Sequence, residues 1–323
     1  MRFLITGAAG FLGSSLVDRL LDQGHTVVGV DNLSTGLTEF LELAVRRSDF
    51  RFLNIDLVAP GALDEILQDV DAVYHLAANA DIRGGLQHPQ KDLEQNTIVT
   101  FNVLESMRKA GVRRIIFAST AAVLGEPELY PTPENCAIPI QTSLYGASKM
   151  ACEGLISAYC EGYGFEGYAF RFVSLLGPRY PHGHVFDFVK QLLTDPTRLV
   201  ILGDGNQRKS YLHVDDCLNA LHLICEELRT AALTKHKYQV YHLGVPSYCT
   251  VAQSAAWICD EFGAMPDIIF SGGERGWVGD NPFVFLDVSK AVATGWRPSQ
   301  TIENSVRFTV RWLRNNSWIF DKR

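Results

Sequence analysis

Short apolar runs alternate with stretches of helical spacing through the first half of the chain. The runs over 2–6, 26–30, 51–55, 72–76, 114–119 and 168–173 have the length of buried strands. Between them, near 12–23, 61–69, 92–110 and 146–163, apolar residues recur at the helical period. This alternation predicts an α/β fold, a doubly wound parallel sheet with helices on both faces, whose ligands meet the carboxyl ends of the strands. After about residue 174 the texture changes, with Gly- and Pro-rich loops such as Gly177-Pro178-Arg179-Tyr180-Pro181 and Gly203-Asp204-Gly205-Asn206. A first domain is therefore expected over 1–173 and a smaller α/β substrate-binding domain over 174–323, with returns to the first near 210–227 and 239–244.

The first strand breaks into Gly7-Ala8-Ala9-Gly10-Phe11-Leu12-Gly13, a helical pattern follows, and the second strand ends at Asp31. Strand, glycine turn, helix, strand and terminal acid make a dinucleotide site. One glycine forms the tight turn, one lets backbone approach a pyrophosphate, and one lets helix pack on strand. The helix N-terminus offers free N–H groups and the positive end of its dipole. Asp31 would accept hydrogen bonds from a ribose diol and repel a 2′-phosphate, and no Arg or Lys follows before Arg46, so NAD is favoured over NADP.

Composition narrows the partners. The chain has 323 residues and a formal charge of −7, with no basic stripe for nucleic acid and no polybasic segment for a membrane surface. No apolar run approaches a membrane span, and the first strand leaves no room for a signal peptide. Seven cysteines, an odd number without CxxC spacing, read as reduced buried thiols of a cytoplasmic protein. The histidines show neither HxxxH nor HExxH, and no metal is expected.

Candidate chemistry lies at Tyr145-Gly146-Ala147-Ser148-Lys149. Tyr145 and Lys149, four apart, share one helix face. A phenol is a poor base at neutral pH, but a nearby ammonium and a nicotinamide cation favour its phenolate. Such a group can take a proton from an alcohol while hydride leaves the same carbon. Phe117-Ala118-Ser119-Thr120 ends a strand, and Thr120 can relay the proton to Tyr145.

With these motifs in place, the chain resembles an extended short-chain dehydrogenase/reductase of the nucleotide-sugar epimerase/dehydratase family. The matching residues continue through Asp31-Asn32-Leu33-Ser34-Thr35-Gly36, Asp56-Leu57, His75-Leu76-Ala77-Ala78, Asn96, Ser119-Thr120 and Arg171. They close with Gly203-Asp204-Gly205 through Val214-Asp215-Asp216, and Gly295-Trp296-Arg297-Pro298. The resemblance implies that Gly7, Gly10 and Gly13 hold the pyrophosphate of NAD, with Phe11 and Leu12 as further cofactor contacts. It places Asp31 and Asn32 on the adenosine ribose and Asp56 and Leu57 on the adenine, with Ser34 and Gly36 as further cofactor contacts. Leu76, Ala77, Ala78, Asn96, Ser119, Tyr145 and Lys149 line the remainder. Thr120, Tyr145 and Lys149 carry catalysis.

By the same resemblance the substrate is a UDP-sugar, with Arg83, Thr120, Ser174, His184, Val185, Lys209, Tyr211 and Arg275 as candidate contacts. Dehydratases of the family follow this Thr with Asp-Glu, and decarboxylases keep a Glu two residues after it. Ala121 and Ala122 stand here, which favours 4-epimerisation through a transient 4-keto sugar over decarboxylation, dehydration or 4-keto reduction. Ser174 replaces the usual Asn of UDP-hexose epimerases and puts UDP-glucuronate/UDP-galacturonate slightly ahead of UDP-glucose/UDP-galactose. Lys209 replaces a nucleotide-contacting Arg, offering a point charge without the bidentate fork. Lys209 and Arg275 are the cations most expected at the diphosphate. Trp277 and Trp296 read as wall or core. The family commonly forms homodimers through two helices per chain, here 92–110 and 146–163. Val99, Val103 and Met107 fit a partner-facing stripe and an internal core face equally.

Overall fold

The computed structural model describes residues 1–137, 140–230 and 237–322. In chain order the elements are β1 (Arg2–Thr6), α1 (Phe11–Asp22), β2 (Thr26–Asp31), β3 (Phe50–Asn54), β4 (Ala72–His75), α2 (Pro89–Asp92), α3 (Val99–Ala110) and β5 (Arg114–Thr120). They continue with α4 (Leu144–Tyr163), β6 (Glu166–Phe172), β7 (Ser174–Leu176), α5 (His184–Thr194), β8 (Arg198–Ile201), β9 (Arg208–Lys209), β10 (Tyr211–His213) and α6 (Val214–Thr230). The last are β11 (Tyr238–Leu243), β12 (Cys249–Thr250), α7 (Val251–Phe262), β13 (Asp267–Phe270), β14 (Phe283–Val284), α8 (Ser289–Ala293) and α9 (Ile302–Asn315).

Seven strands form one sheet in the order β11-β6-β5-β4-β1-β2-β3, and β3, β2, β1, β4 and β5 run parallel. This is the doubly wound arrangement expected from the alternating pattern, with β11 added at one edge. The strand order reverses between β1 and β4, and ligands of such sheets gather beyond the carboxyl ends at that point. Phe3 to Thr6 pair with Ala72 to His75, so the ends of β1 and β4 lie level.

Contacts divide the chain into two compact units. The first comprises 1–125, 139–171 and 224–241; the second comprises 126–138, 172–223 and 242–323. The core of the first is built from Leu4, Val28, Val73, Ile115 and Phe117 of the sheet, with Val103, Leu104 and Met107 of α3 and Cys152 and Ile156 of α4. Val99, Val103 and Met107 are all buried within this core, so the internal alternative holds for them. In the second unit the sequence pattern Thr250-x-x-Gln253 forms a capping box at the start of α7. Asp216 accepts from Ser299 N and Gln300 N at 3.0 Å each, while Trp296 donates to its carbonyl at 2.9 Å. Trp296 is thereby a buried anchor of the unit.

Two helical expectations need correction. The stretch 61–69 folds as successive turns instead of a helix. Leu63 and Leu67 are buried as their spacing suggested, but Asp64 is drawn out to Ser106 and Lys109, and Asp69 takes a left-handed φ of 60°. The stretch 92–110 is also not one regular helix: a π-helical segment, Leu93–Ile98, precedes α3. Such wide turns are frequent at functional sites, and this one carries Asn96.

Candidate active site

The glycine turn is built by close backbone approach. Gly7 has φ +71°, and a Cβ there would meet Ala77 N at 2.8 Å. A Cβ on Gly13 would lie 2.0 Å from Gly7 O, which excludes any side chain. Gly10 caps α1 without a side-chain hydrogen bond, so the first-turn N–H groups of Phe11, Leu12 and Gly13 are not consumed by a capping side chain. These donors, with no Cβ in front of them, suit a pyrophosphate.

Asp31 stands at the end of β2, mostly buried, and accepts from Ala9 N at 3.0 Å and Leu33 N at 2.8 Å. It locks the glycine turn to the following loop. Gly36 packs directly on this carboxylate, where a Cβ would be 2.7 Å from Oδ1. Asn32 Oδ1 accepts from Ser34 N at 3.0 Å, completing the loop. Asp56 accepts from Val58 N at 3.0 Å, and Asn102 donates to the carbonyl of Leu57 at 2.9 Å. Asp31 is a carboxylate, an acceptor-only group, set beside the glycine turn, as a ribose diol requires, and the turn fits NAD.

Beyond β4, Thr6 Oγ1 accepts from Leu76 N and Ala77 N at 3.1 Å each. Asn96 Oδ1 accepts from Asn79 N at 2.8 Å, and Asn96 donates to Ser148 Oγ at 2.8 Å. Ser148 in turn donates to the Tyr145 carbonyl at 2.8 Å. The loop after β4, the π-helical segment and the start of α4 are thus tied into one frame. Arg83 lies exposed on a turn over 83–86.

Thr120 stands beside the Tyr145 phenol. Ser143 caps α4 by accepting from Gly146 N at 3.0 Å, which sets Tyr145 on the second residue of the helix. Thr120 Oγ1 accepts from Ala122 N at 3.1 Å. Burial pushes the phenol well above its ordinary range, and the Thr120 hydrogen bond is the force that pulls it down. Asp92 and Cys152 push it further up.

Lys149 lies one helical turn after Tyr145 on α4. Its ammonium donates to the Ala118 carbonyl at 2.9 Å and lies 4.6 Å over the Phe117 ring. Both contacts tie the Lys149 side chain to β5. Burial lowers Lys149 to about 8, with Cys152 and Glu153 acting in the opposite sense.

Ser119, expected beside the cofactor, precedes Thr120 at the end of β5. Its hydroxyl donates to Glu153, and it is buried. Glu153 is a residue the sequence reading passed over, although it follows Lys149 by one helical turn, as Lys149 follows Tyr145. Gly146 was passed over as well: a Cβ there would be 2.6 Å from Ala122 O, so the start of α4 lies hard against the turn after Thr120.

The remaining substrate candidates lie in the second unit. Ser174 is exposed at the start of β7, in register with the buried Tyr211 of β10. Val185 is completely buried on α5 and belongs to the unit's interior. His184 Nε2 bonds Ser254 Oγ at 2.8 Å, its ring packs on Tyr211 at 4.9 Å, and burial lowers it to about 3. Neither expected cation stands uncompensated. Lys209 bonds Asp280 Oδ1 at 2.7 Å and the Asn281 carbonyl. Arg275 pairs with the Glu126 carboxylate through both terminal nitrogens and donates to the Asp280 carbonyl at 2.8 Å. All seven cysteines are free thiols, and no helix among the described residues is long and apolar enough to cross a membrane.

Comparison with known proteins places this geometry. The family model described as the NAD dependent epimerase/dehydratase family matches residues 3–243. A UDP-glucose 4-epimerase of Mycolicibacterium smegmatis is 33% identical over 98% of this chain and 100% of its own. A UDP-glucuronate 4-epimerase of Thermodesulfobacterium geofontis is 28% identical over 97% of this chain and 96% of its own. Among solved structures, a UDP-galactose 4-epimerase superposes with a TM-score of 0.87 at 34% identity, covering 98% of this chain and 100% of that one.

Proposed function

This chain belongs to the NAD dependent epimerase/dehydratase family, whose cofactor is NAD, and from that premise we propose that it interconverts the 4-epimers of a UDP-sugar. The observation that carries the reading is the end of β5. Thr120 faces Tyr145, and the residues that follow it are Ala121 and Ala122, folded into a tight turn. Elimination and decarboxylation in this family place a carboxyl in that turn. Epimerisation at C4 needs one acid/base group, and Tyr145 with Thr120 provides it.

NAD would be held by Gly7, Gly10, Phe11, Leu12 and Gly13 at the pyrophosphate, by Asp31, Asn32, Ser34 and Gly36 at the ribose, and by Asp56 and Leu57 at the adenine. Leu76, Ala77, Ala78, Asn96, Ser119, Tyr145 and Lys149 would line the rest. Bound NAD would accept a hydride from the sugar carbon and return it, its oxidised ring adding positive charge beside the phenol. Thr120 orients the 4-hydroxyl, Tyr145 takes its proton and later gives it back, and Lys149 holds the end of β5 in place. No second reductant is consumed. On the substrate side Ser174 supports a uronate, while Arg83 and Arg275 supply positive charge for the diphosphate. The same reading makes the protein a cytoplasmic homodimer using α3 and α4, where Phe101 and Leu144 are exposed; light scattering in solution tests the dimer.

The decisive experiment is an NMR time course with catalytic NAD on UDP-glucose, UDP-galactose, UDP-glucuronate and UDP-galacturonate. One pair should approach the same mixture from either side without NADH accumulating. Carbon dioxide release or a stable 4-keto product would select a decarboxylase or dehydratase, and unchanged sugars would end the proposal. Tyr145→Phe should lower turnover by about 10²–10⁴-fold with NAD still bound.

A further inference from the structure

Behind the Thr120–Tyr145 pair lies a buried polar network that none of the steps above uses. Glu153, on α4, accepts from Arg171 Nε at 2.9 Å and from Arg171 Nη2 at 2.7 Å. The same carboxylate accepts from Ser119 Oγ and, at 3.4 Å, from Tyr238 Oη. The side chains of Glu153 and Arg171 are 5% and 10% exposed. A pair this deep carries a large desolvation cost and contributes little net stability, so its stability alone is a weak reason for its presence. Its position supplies a stronger one. Ser119 sits between Ala118, whose carbonyl holds the Lys149 ammonium, and Thr120, whose hydroxyl faces Tyr145.

We propose that Glu153 is a positioning residue for this site: anchored by Arg171, it holds Ser119 and so fixes the Ala118 carbonyl against Lys149 and the Thr120 hydroxyl against Tyr145. This deepens the reading given under Proposed function and rests on it for the reaction concerned. The strand end is attached to α4 twice, through Ser119 to Glu153 and through Ala118 to Lys149, one helical turn apart. Two attachments on one helix face restrain rotation of the strand end as well as its height. Hydroxyl and phenol must remain within hydrogen-bond reach for proton transfer, where a displacement of 1 Å can cost about 10²-fold in rate.

The carboxylate also acts through charge. Lys149 is faced by Cys152 and Glu153 from its own helix, by His75 from β4, and by the Phe117 ring and Ala118 carbonyl from β5. Glu153 opposes the burial that would strip Lys149 of its proton. Removing that negative charge, with Arg171 left in place, favours the neutral amine, so the Lys149 midpoint must fall.

The test uses Glu153→Gln and Ser119→Ala in the full chain, with three measurements: NAD affinity, UDP-sugar kinetics, and titration of Lys149 by ¹³Cε-lysine NMR without nucleotide, its signal identified by Lys149→Arg. Glu153→Gln is expected to lower kcat about 10- to 100-fold, with KM and NAD affinity within about threefold, and to move the Lys149 midpoint down by about one pH unit. Ser119→Ala cuts the tether and keeps the charge, so kcat should fall while the midpoint stays near that of the unmodified protein. Should Glu153→Gln fail to fold, Ser119→Ala decides the matter alone: unchanged kcat there overturns the proposal. So does a folded Glu153→Gln with normal kcat and midpoint, or one in which NAD affinity and kcat fall together while the midpoint stays still. If the unmodified protein turns over no UDP-sugar, the epimerase reading fails, and the Lys149 titration still judges Glu153.

Discussion

Thr6 accepts two backbone N–H groups beyond β4, so its own proton goes to His75 Nδ1 at 2.8 Å. The remaining His75 N–H then points to Thr100 Oγ1 at 2.9 Å, and Thr100 donates to the Asn96 carbonyl at 2.7 Å. This chain of bonds joins β1, β4 and the π-helical segment through a neutral imidazole. Burial, with a smaller contribution from Lys149, lowers His75 to about 3. Above the ordinary value of 6.5 the ring is neutral folded and unfolded, and pH has no leverage. Below it the unfolded chain takes a proton that the folded chain refuses until about pH 3, so stability is lost as the pH falls through that window. The slope is at most about 1.4 kcal/mol per pH unit for each such group, and His184 acts in the same direction. Urea unfolding between pH 7 and pH 5 should therefore show a shallower loss for His75→Asn than for the unmodified protein. Equal slopes would mean that His75 accepts its proton in the folded state.

Among the elements, α4 carries the most function per residue. Its N-terminal turn holds Tyr145, its second turn Lys149 and its third Glu153. Gly146 lets it approach the turn at Ala121–Leu124, which Gln141 also binds through the Val123 carbonyl at 2.8 Å. At an open helical position Gly→Ala would stabilise by about 1 kcal/mol. At Gly146 the added carbon meets backbone at 2.6 Å, so Gly146→Ala should instead destabilise by about 1–3 kcal/mol and lower kcat by about 10-fold or more. Thermal melting read beside kinetics checks both signs; a stabilised, active variant would show that the two elements are free to separate. The motif Tyr-x-x-x-Lys was legible because helical spacing fixes which side chains share a face. The clash at Gly146 and the Ser119–Glu153–Arg171 network were not, because both depend on β5 and β6 arriving beside α4. The same distinction explains 61–69, whose Leu63 and Leu67 satisfy a helical period while the backbone between them follows contacts made by Asp64 with α3. The strands of the seven-stranded sheet and α1 were legible to within about two residues, since a buried parallel sheet leaves a continuous apolar run and the glycine turn has few alternatives.

On the scale of the whole molecule, the first unit carries the dinucleotide turn and the acid/base pair, and the second carries the cations expected to meet a diphosphate. Those cations differ in depth. The Lys209 and Asp280 side chains are 17% and 4% exposed, and Asp280 also accepts from Gly276 N at 3.1 Å. Removing Asp280 would strand a desolvated ammonium at a cost of about 3–5 kcal/mol, which marks Lys209 as part of the unit's frame. Arg275 and Glu126 are 42% and 38% exposed, a pair that water already screens. Such a pair contributes up to about 1 kcal/mol. On the proposal that Arg275 meets the diphosphate, Glu126 competes with it for one guanidinium, and Glu126→Gln should lower the KM for the UDP-sugar by up to about fivefold, leaving kcat unchanged and stability within about 1 kcal/mol. Glu126 and Arg275 hold the segment before residue 138 to the loop near 280, so a second outcome is diagnostic too. If KM stays constant while limited proteolysis at that loop accelerates, Arg275 is a clamp, and the diphosphate must draw its charge from another residue, with Arg83 the next candidate to substitute.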